Sequence, residues 1–123
     1  MRIPKIAIPA LGAIAFVVTS SILALPSVMA DEASVVSEGK SIAFDRKKGN
    51  CLACHAIVGG QLPGNIGPPL KDIKQAYPNE ADLRAQIFDA TVRNPNTIMP
   101  PFGKHKILTS SELDKVVEFI YSL

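Results

Sequence analysis

The feature that most restricts how this chain can fold is the pentapeptide 51-CLACH-55. It holds both cysteines and one of the two histidines among the 123 residues. Cysteines at positions i and i+3 lie on the same side of a helical turn, and a histidine at i+4 extends from that turn. Two thiols and an imidazole are therefore brought together by a single turn of backbone, before any long-range contact forms.

This spacing is typical of covalent c-type haem attachment. Both thiols add to the vinyl groups of the porphyrin, and the adjacent histidine becomes an axial ligand of the iron. Because tethers and ligand share one turn, they hold the iron and the ring plane with little remaining freedom. We therefore predict one covalently bound haem c, attached at Cys51 and Cys54, with His55 as an iron ligand.

Three other uses of the motif agree less well with the sequence. A structural disulfide between the cysteines would suit an oxidising compartment, and a thioredoxin-like redox pair has the same spacing. A thioredoxin motif, however, follows a strand in a βαβ unit, and no strand is apparent here. A zinc site would need two further ligands, and His105 is the one other Cys or His in the chain.

Residues 1–30 are predicted to be an export signal. Arg2 and Lys5 form a basic start, a long uncharged run follows, and Val28–Ala30 supplies a small-x-small cleavage site. The uncharged run is long for a signal, so an uncleaved membrane anchor is the alternative. In both cases residues 31–123 lie outside the cytoplasmic membrane, as one small cytochrome domain in the periplasm.

The charge of residues 31–123 is balanced. Arg2 and Lys5 are two of the 13 basic residues, so 11 remain against 11 acidic residues. This balance gives no reason to expect a nucleic-acid partner. The chain also lacks tryptophan and has few other aromatic residues. Because such a small domain buries little apolar surface, it usually needs a bound cofactor for stability.

Three segments have helical periodicity, and the rest reads as loop, which predicts an all-α fold. The C-terminal helix begins at a capping box, Thr109–Glu112, and then has apolar residues at helical spacing. The middle helix begins at Asn79 and must end before Asn94–Pro95. The first, at about 35–47, is the weakest, although Gly39 would allow another helix to approach closely.

The loop at residues 93–108 contains two candidates for a second iron ligand. Met99 is the one methionine after residue 30, and Pro100 and Pro101 restrict the backbone beside it. A restricted loop loses less entropy when a thioether is held against iron, which favours Met99. His105 is the alternative ligand, although a histidine between two lysines is more consistent with an exposed position.

The loop at residues 55–70 is rich in glycine and proline and cannot form a regular helix. A histidine ligand usually donates its second ring N–H to an acceptor, which sets its tautomer and orientation. Pro68, in 67-GPPL-70, is the candidate acceptor through its carbonyl. Under the simpler interpretation, these prolines only turn the chain.

The order of these parts resembles a small class I cytochrome c. A first helix is followed by C-x-x-C-H, a Gly-Pro-x-Leu turn, a middle helix, a methionine loop and a C-terminal helix. The resemblance covers residues 31–123 and implies about three main helices, with long loops around one haem. It also implies that Pro68 offers its carbonyl to His55 and that Met99 is the distal ligand.

Three segments resemble one family more closely: 63-PGNIGPPL-70, 89-DATVRNPNTIMPPFGKHKILT-109 and 113-LDKVVEFIYSL-123. They are similar to SoxX, the small monohaem subunit of a periplasmic cytochrome complex in bacterial thiosulfate oxidation. In that family the subunit pairs with a larger cytochrome, SoxA. The complex couples thiosulfate to a cysteine of the SoxYZ carrier, and a downstream cytochrome accepts the electrons. The resemblance implies the same partners here.

The residues limit what this chain contributes to such a reaction. With Cys51 and Cys54 attached to haem, no free thiol remains as a nucleophile. With His55 and Met99 on iron, no coordination position remains for substrate. We therefore predict the electron-accepting subunit of an L-cysteine S-thiosulfotransferase complex, with the sulfur chemistry on a partner. The alternative is a free-standing class I cytochrome c that carries electrons by diffusion.

Overall fold

The computed structural model describes residues 28–123, with side chains from residue 31. The predicted export signal therefore lies almost entirely outside the described residues. The described part of the chain is mostly helical, with one isolated β-bridge between Ile57 and Leu70 and no strand. The elements are α1 (Val28–Phe44), a 3₁₀ turn (Cys51–Ala53), α2 (Ile73–Ala76), α3 (Glu80–Phe88), a second 3₁₀ turn (Ala90–Val92) and α4 (Ser110–Tyr121). The predicted all-α, class I cytochrome c-like fold is confirmed.

None of the helices among residues 28–123 has the length and hydropathy needed to span a bilayer.

Helix α4 begins at the predicted capping box. The Thr109 hydroxyl accepts a hydrogen bond from the Glu112 amide at 3.2 Å, and the Glu112 carboxylate accepts from the Thr109 amide at 3.0 Å. These two bonds satisfy N–H groups that have no partner within the helix. The apolar face of the helix forms the centre of the core, with Leu113, Val116, Val117, Phe119 and Ile120 buried.

Helix α1 packs directly against α4 at Gly39. A Cβ atom at this position would lie 1.9 Å from the Lys115 carbonyl oxygen, so only glycine permits this approach of the two backbones. The Phe44 and Phe119 rings meet edge-to-face, with centroids 5.8 Å apart. The predicted role of Gly39 is confirmed.

The predicted bounds of the first helix, 35–47, are wrong at both ends. The helix starts earlier, at Val28, because the Met-Ala-Asp-Glu-Ala sequence that follows favours helix. It ends at Phe44 because the Asp45 side chain accepts a hydrogen bond from the Lys47 amide at 2.8 Å and turns the chain.

Helix α3 starts as predicted, with the Asn79 side chain accepting from the Ala81 amide at 3.1 Å. It ends at Phe88, well before Asn94–Pro95, because Asp89 caps the separate 3₁₀ turn that follows. Helix α2 was not predicted, since four residues are too few to show periodicity.

Replacing Gly39 with alanine should lower the free energy of unfolding by about 1–3 kcal/mol, because α1 and α4 must move apart to admit the methyl group. Urea denaturation measures this change. Ser37→Ala on the exposed surface of α1 is the control and should have little effect. A Gly39→Ala variant as stable as wild type would show that the backbones can separate without cost.

Glu112 should make stability depend on pH in acid. The Lys48 side chain, followed by the Thr109 amide and hydroxyl, lowers the pKa of Glu112 from 4.5 to about 2. Because the folded-state pKa is lowered, this stabilisation is complete above pH 4.5 and is lost as the pH falls towards 2. Urea midpoints for Glu112→Gln and Lys48→Met should both fall less steeply over this window than wild type. If the urea midpoints of both variants fell as steeply with pH as that of wild type, the Lys48–Glu112 interaction would not cause the pH dependence.

Candidate functional site

A cavity of about 630 Å³ lies between the CLACH turn, the loops at 66–71 and 97–102, and the inner faces of α3 and α4. Pockets of about 300–1,000 Å³ are typical of sites for small molecules and cofactors. Much of the wall is apolar, including Leu70, Ile73, Leu83, Ile87, Phe102, Val116 and Ile120. All five predicted site residues line this cavity: Cys51, Cys54, His55, Pro68 and Met99.

The CLACH motif forms the predicted turn, which is 3₁₀ over Cys51–Ala53. Asn50 precedes it in a left-handed conformation, with φ of 48°, which asparagine adopts more readily than most residues. The His55 amide donates to the Cys51 carbonyl at 2.9 Å and closes the turn. Both thiols and the imidazole thus come from one short, hydrogen-bonded segment.

The environment of Cys51 does not suit thiol–disulfide exchange. Burial, with a smaller contribution from the neighbouring Cys54, raises the pKa of the Cys51 thiol to about 11. Exchange needs a thiolate, and this thiol stays protonated at neutral pH. The structure therefore weighs against a thioredoxin-like use of the motif.

His55 is oriented by the loop that follows it. Its Nδ1 atom lies 2.7 Å from the Pro68 carbonyl oxygen. Because a carbonyl can only accept, Nδ1 carries a proton, and in the neutral imidazole Nε2 then keeps its lone pair free for a metal. Pro68 thus occupies the position that the sequence analysis expected of an acceptor.

Two glycines let the loop at 55–70 lie against the motif turn. A Cβ at Gly67 would lie 2.4 Å from His55 Cε1, and one at Gly64 would lie 2.0 Å from the Ala53 carbonyl oxygen. The Gly67 amide also donates to the Cys54 carbonyl at 2.8 Å. Neither glycine was predicted as a site residue, although Gly67, directly before Pro68, was a usable signal in the sequence.

Met99 lies on the second loop that lines the cavity, at residues 97–102. Its amide donates to the Thr97 hydroxyl at 3.1 Å, and its half-buried side chain packs against the hydrophobic core. Phe102, only 8% exposed, anchors the same loop in the core. His105 is exposed and does not line the cavity. Of the two candidates for the second iron ligand, Met99 therefore lines the cavity and His105 does not.

The residues present fit a c-type haem. Two thiols, an imidazole with a free Nε2 lone pair and a thioether share one cavity with largely apolar walls. Thiols can tether the vinyl groups, and imidazole and thioether are the axial donors of many c-type cytochromes. Apolar walls suit the porphyrin face and keep water from iron.

Comparisons with known proteins agree with this chemistry. Residues 36–120 match the family model described as cytochrome c oxidase, cbb3-type, subunit III. The chain is also similar to the crystal structure of SoxXA from P. pantotrophus, with a TM-score of 0.62 and 29% identity. That match covers 68% of this chain and 77% of the other.

One curated relative is an uncharacterized lipoprotein of Aquifex aeolicus (strain VF5). It is 32% identical over 76 residues, which cover 61% of this chain. The matched region spans 37% of the length of that relative.

Met99→Ala should abolish the sulfur-to-ferric-iron charge-transfer band. The reduction potential should fall by on the order of 0.1 V, because axial ligands set haem potentials over a range of about 0.8 V. Optical spectroscopy and redox titration measure the two effects. His105→Ala is the control and should leave both nearly unchanged. The reverse pattern would make His105 the ligand.

Proposed function

Because the chain belongs to the family described as cytochrome c oxidase, cbb3-type, subunit III, we propose a specific role for this SoxX-like cytochrome. It accepts electrons when a periplasmic complex couples thiosulfate oxidatively to a cysteine of a SoxYZ-type carrier. In this proposal Cys51 and Cys54 tether a single haem c, His55 Nε2 and the Met99 thioether bind iron, and Pro68 orients the imidazole.

The observation that carries the proposal is the set of side chains around the cavity of about 630 Å³. The His55 imidazole and the Met99 thioether line the same cavity as both cysteines. In this proposal they would be the two iron ligands, and the cysteines would be taken by covalent attachment. No coordination position is then left for a substrate, and no thiol is left to carry sulfur. The sulfur chemistry therefore takes place on a partner, and this chain provides electron transfer within an L-cysteine S-thiosulfotransferase complex.

The electron count requires a partner or two successive transfers. Joining thiosulfate to a cysteine thiol forms one S–S bond and releases one proton and two electrons. When bound, a single haem supplies one-electron chemistry between ferric and ferrous iron. A second redox centre on a larger, SoxA-type cytochrome satisfies the balance, and a downstream cytochrome then takes the electrons.

Exposed aliphatic side chains at the cavity edge support a stable partner. Ile66 is 63% exposed and Ile98 is 75% exposed, and both line the cavity. Apolar groups grouped around a functional opening often mark a protein interface. The balanced charge of residues 31–123 offers no strong electrostatic steering, which a diffusing carrier would use. These features favour a SoxA-type partner over a free-standing class I cytochrome c.

The function is tested by mixing the mature protein with a SoxA-type cytochrome, a SoxYZ-type carrier and thiosulfate. The haem spectrum should change to the reduced form only when all components are present. Haem that stays with the denatured polypeptide would establish covalent attachment. A protein that remains monomeric at micromolar concentration and is not reduced by thiosulfate would instead be a free-standing carrier.

Ile98→Ser and Ile66→Ser should each weaken the Kd for the SoxA-type partner by about tenfold, through lost apolar burial. Isothermal titration with the purified partner measures the change. Val92→Ser is the matched control, because Val92 is 79% exposed but does not line the cavity. Equal losses in all three variants would contradict an interface at the cavity edge.

A further inference from the structure

The two ends of the segment 89–104 meet, so that this segment forms a closed loop carrying Met99. At its base, Lys104 Nζ donates to Asp89 Oδ2 at 2.7 Å. The main-chain amides of Gly103 and Lys104 both donate to the Phe88 carbonyl at 3.2 Å. One ion pair and two backbone hydrogen bonds therefore join the end of α3 to the far side of the methionine loop.

Asp89 is unusual among the described side chains. Within residues 31–123 it is the one charged residue that is buried, with its side chain 9% exposed. A buried carboxylate is costly unless it is paired and hydrogen-bonded. Here the Lys104 ammonium, and then the Thr91 hydroxyl and amide, lower the pKa of Asp89. The carboxylate is therefore ionised at neutral pH, and its largest stabilising partner lies on the methionine loop.

Packing around the base leaves little space for slippage. A Cβ at Gly103 would lie 2.0 Å from the Phe88 ring, so the ring lies directly against the backbone beside Lys104. This contact sets the distance between the two ends of the loop. The Asp89–Lys104 ion pair then joins the two ends of the loop.

The interior of the loop has weaker support. Met99 is held locally by the bond from its amide to Thr97, and Thr97 in turn donates to the Asn94 carbonyl at 3.0 Å. Ile98 is 75% exposed and adds little core packing, and residues 93–96 are exposed as well. Phe102 and the half-buried Met99 side chain do pack on the core. A segment with so few core contacts opens more readily when its ends separate, so the base of the loop supports the position of Met99 together with this packing.

From these contacts we propose that the Asp89–Lys104 ion pair is a positioning device for Met99. It holds the loop closed so that the thioether stays on the iron and external ligands are excluded. The inference rests on the proposed Met99 ligation. It assigns a role to two residues that do not line the cavity.

The test is titration of the ferric holoprotein with imidazole, which competes with Met99 for iron. Asp89→Asn should tighten apparent imidazole binding about fivefold, because the competent open state becomes more populated. Lys104→Met should have the same effect without removing the hydrogen bonds that Asp89 accepts from the Thr91 amide and hydroxyl. Lys104→Arg keeps the charge and should stay close to wild type.

Asp114→Asn is the matched control. It makes the same substitution in an ion pair of similar length, Arg84 to Asp114 at 2.8 Å, which is not at the base of the loop. Imidazole affinity should stay within about twofold of wild type, as for other surface ion pairs. If Asp89→Asn does not fold, Lys104→Met decides the question, because the Lys104 side chain is 55% exposed.

Wild-type imidazole affinity in Lys104→Met, with the sulfur-to-iron band present, would overturn this inference and leave Met99 ligation standing. An equal shift in Asp114→Asn would also overturn it, because the effect would then reflect general destabilisation. A wild-type protein without the band would overturn both the Met99 ligation and the positioning role. Absence of thiosulfate-dependent reduction, with the imidazole shifts as expected, would overturn the thiosulfate role alone.

Discussion

The contact of α1 with α4 at Gly39 is the constraint on which the rest of the structure depends. Because the two backbones touch there, the chain leaves α1 close to the apolar face of α4. The CLACH turn follows after a short connection, and Val116 and Ile120 of α4 become part of the cavity wall. The packing that forms the core therefore also places the motif beside the space that a haem requires.

The two sides of the cavity are built differently. On one side, His55 is held by the Pro68 carbonyl and by the close backbone of Gly67, both within a segment that contacts the motif turn. On the other side, Met99 lies on a loop whose closure depends on the distant Asp89 and Lys104. In the proposed haem site, a firmly held His55 and a more easily released Met99 would allow the loop to influence the redox potential.

Local features were predictable from sequence because their partners are near in the chain. The capping box at Thr109 and the cap at Asn79 need residues two or three positions away. The end of α1 was less predictable. The Asp45 side chain turns the chain by accepting a hydrogen bond from the Lys47 amide, and aspartate can form such a bond in many contexts. The short α2 left no periodic signal, and its one buried residue, Ile73, is held by the distant Leu123 carbonyl.

The sequence by itself indicated the chemistry of the site, because two thiols and an imidazole at i, i+3 and i+4 lie together whenever the segment forms a helical turn. Only the tertiary structure decided that Met99, rather than His105, lines the same cavity. It likewise decided that Pro68 reaches His55 across 13 positions and that Lys104 reaches Asp89 across 15. Such contacts depend on how helices and loops pack, and the spacing of residues in one segment carries no information about them.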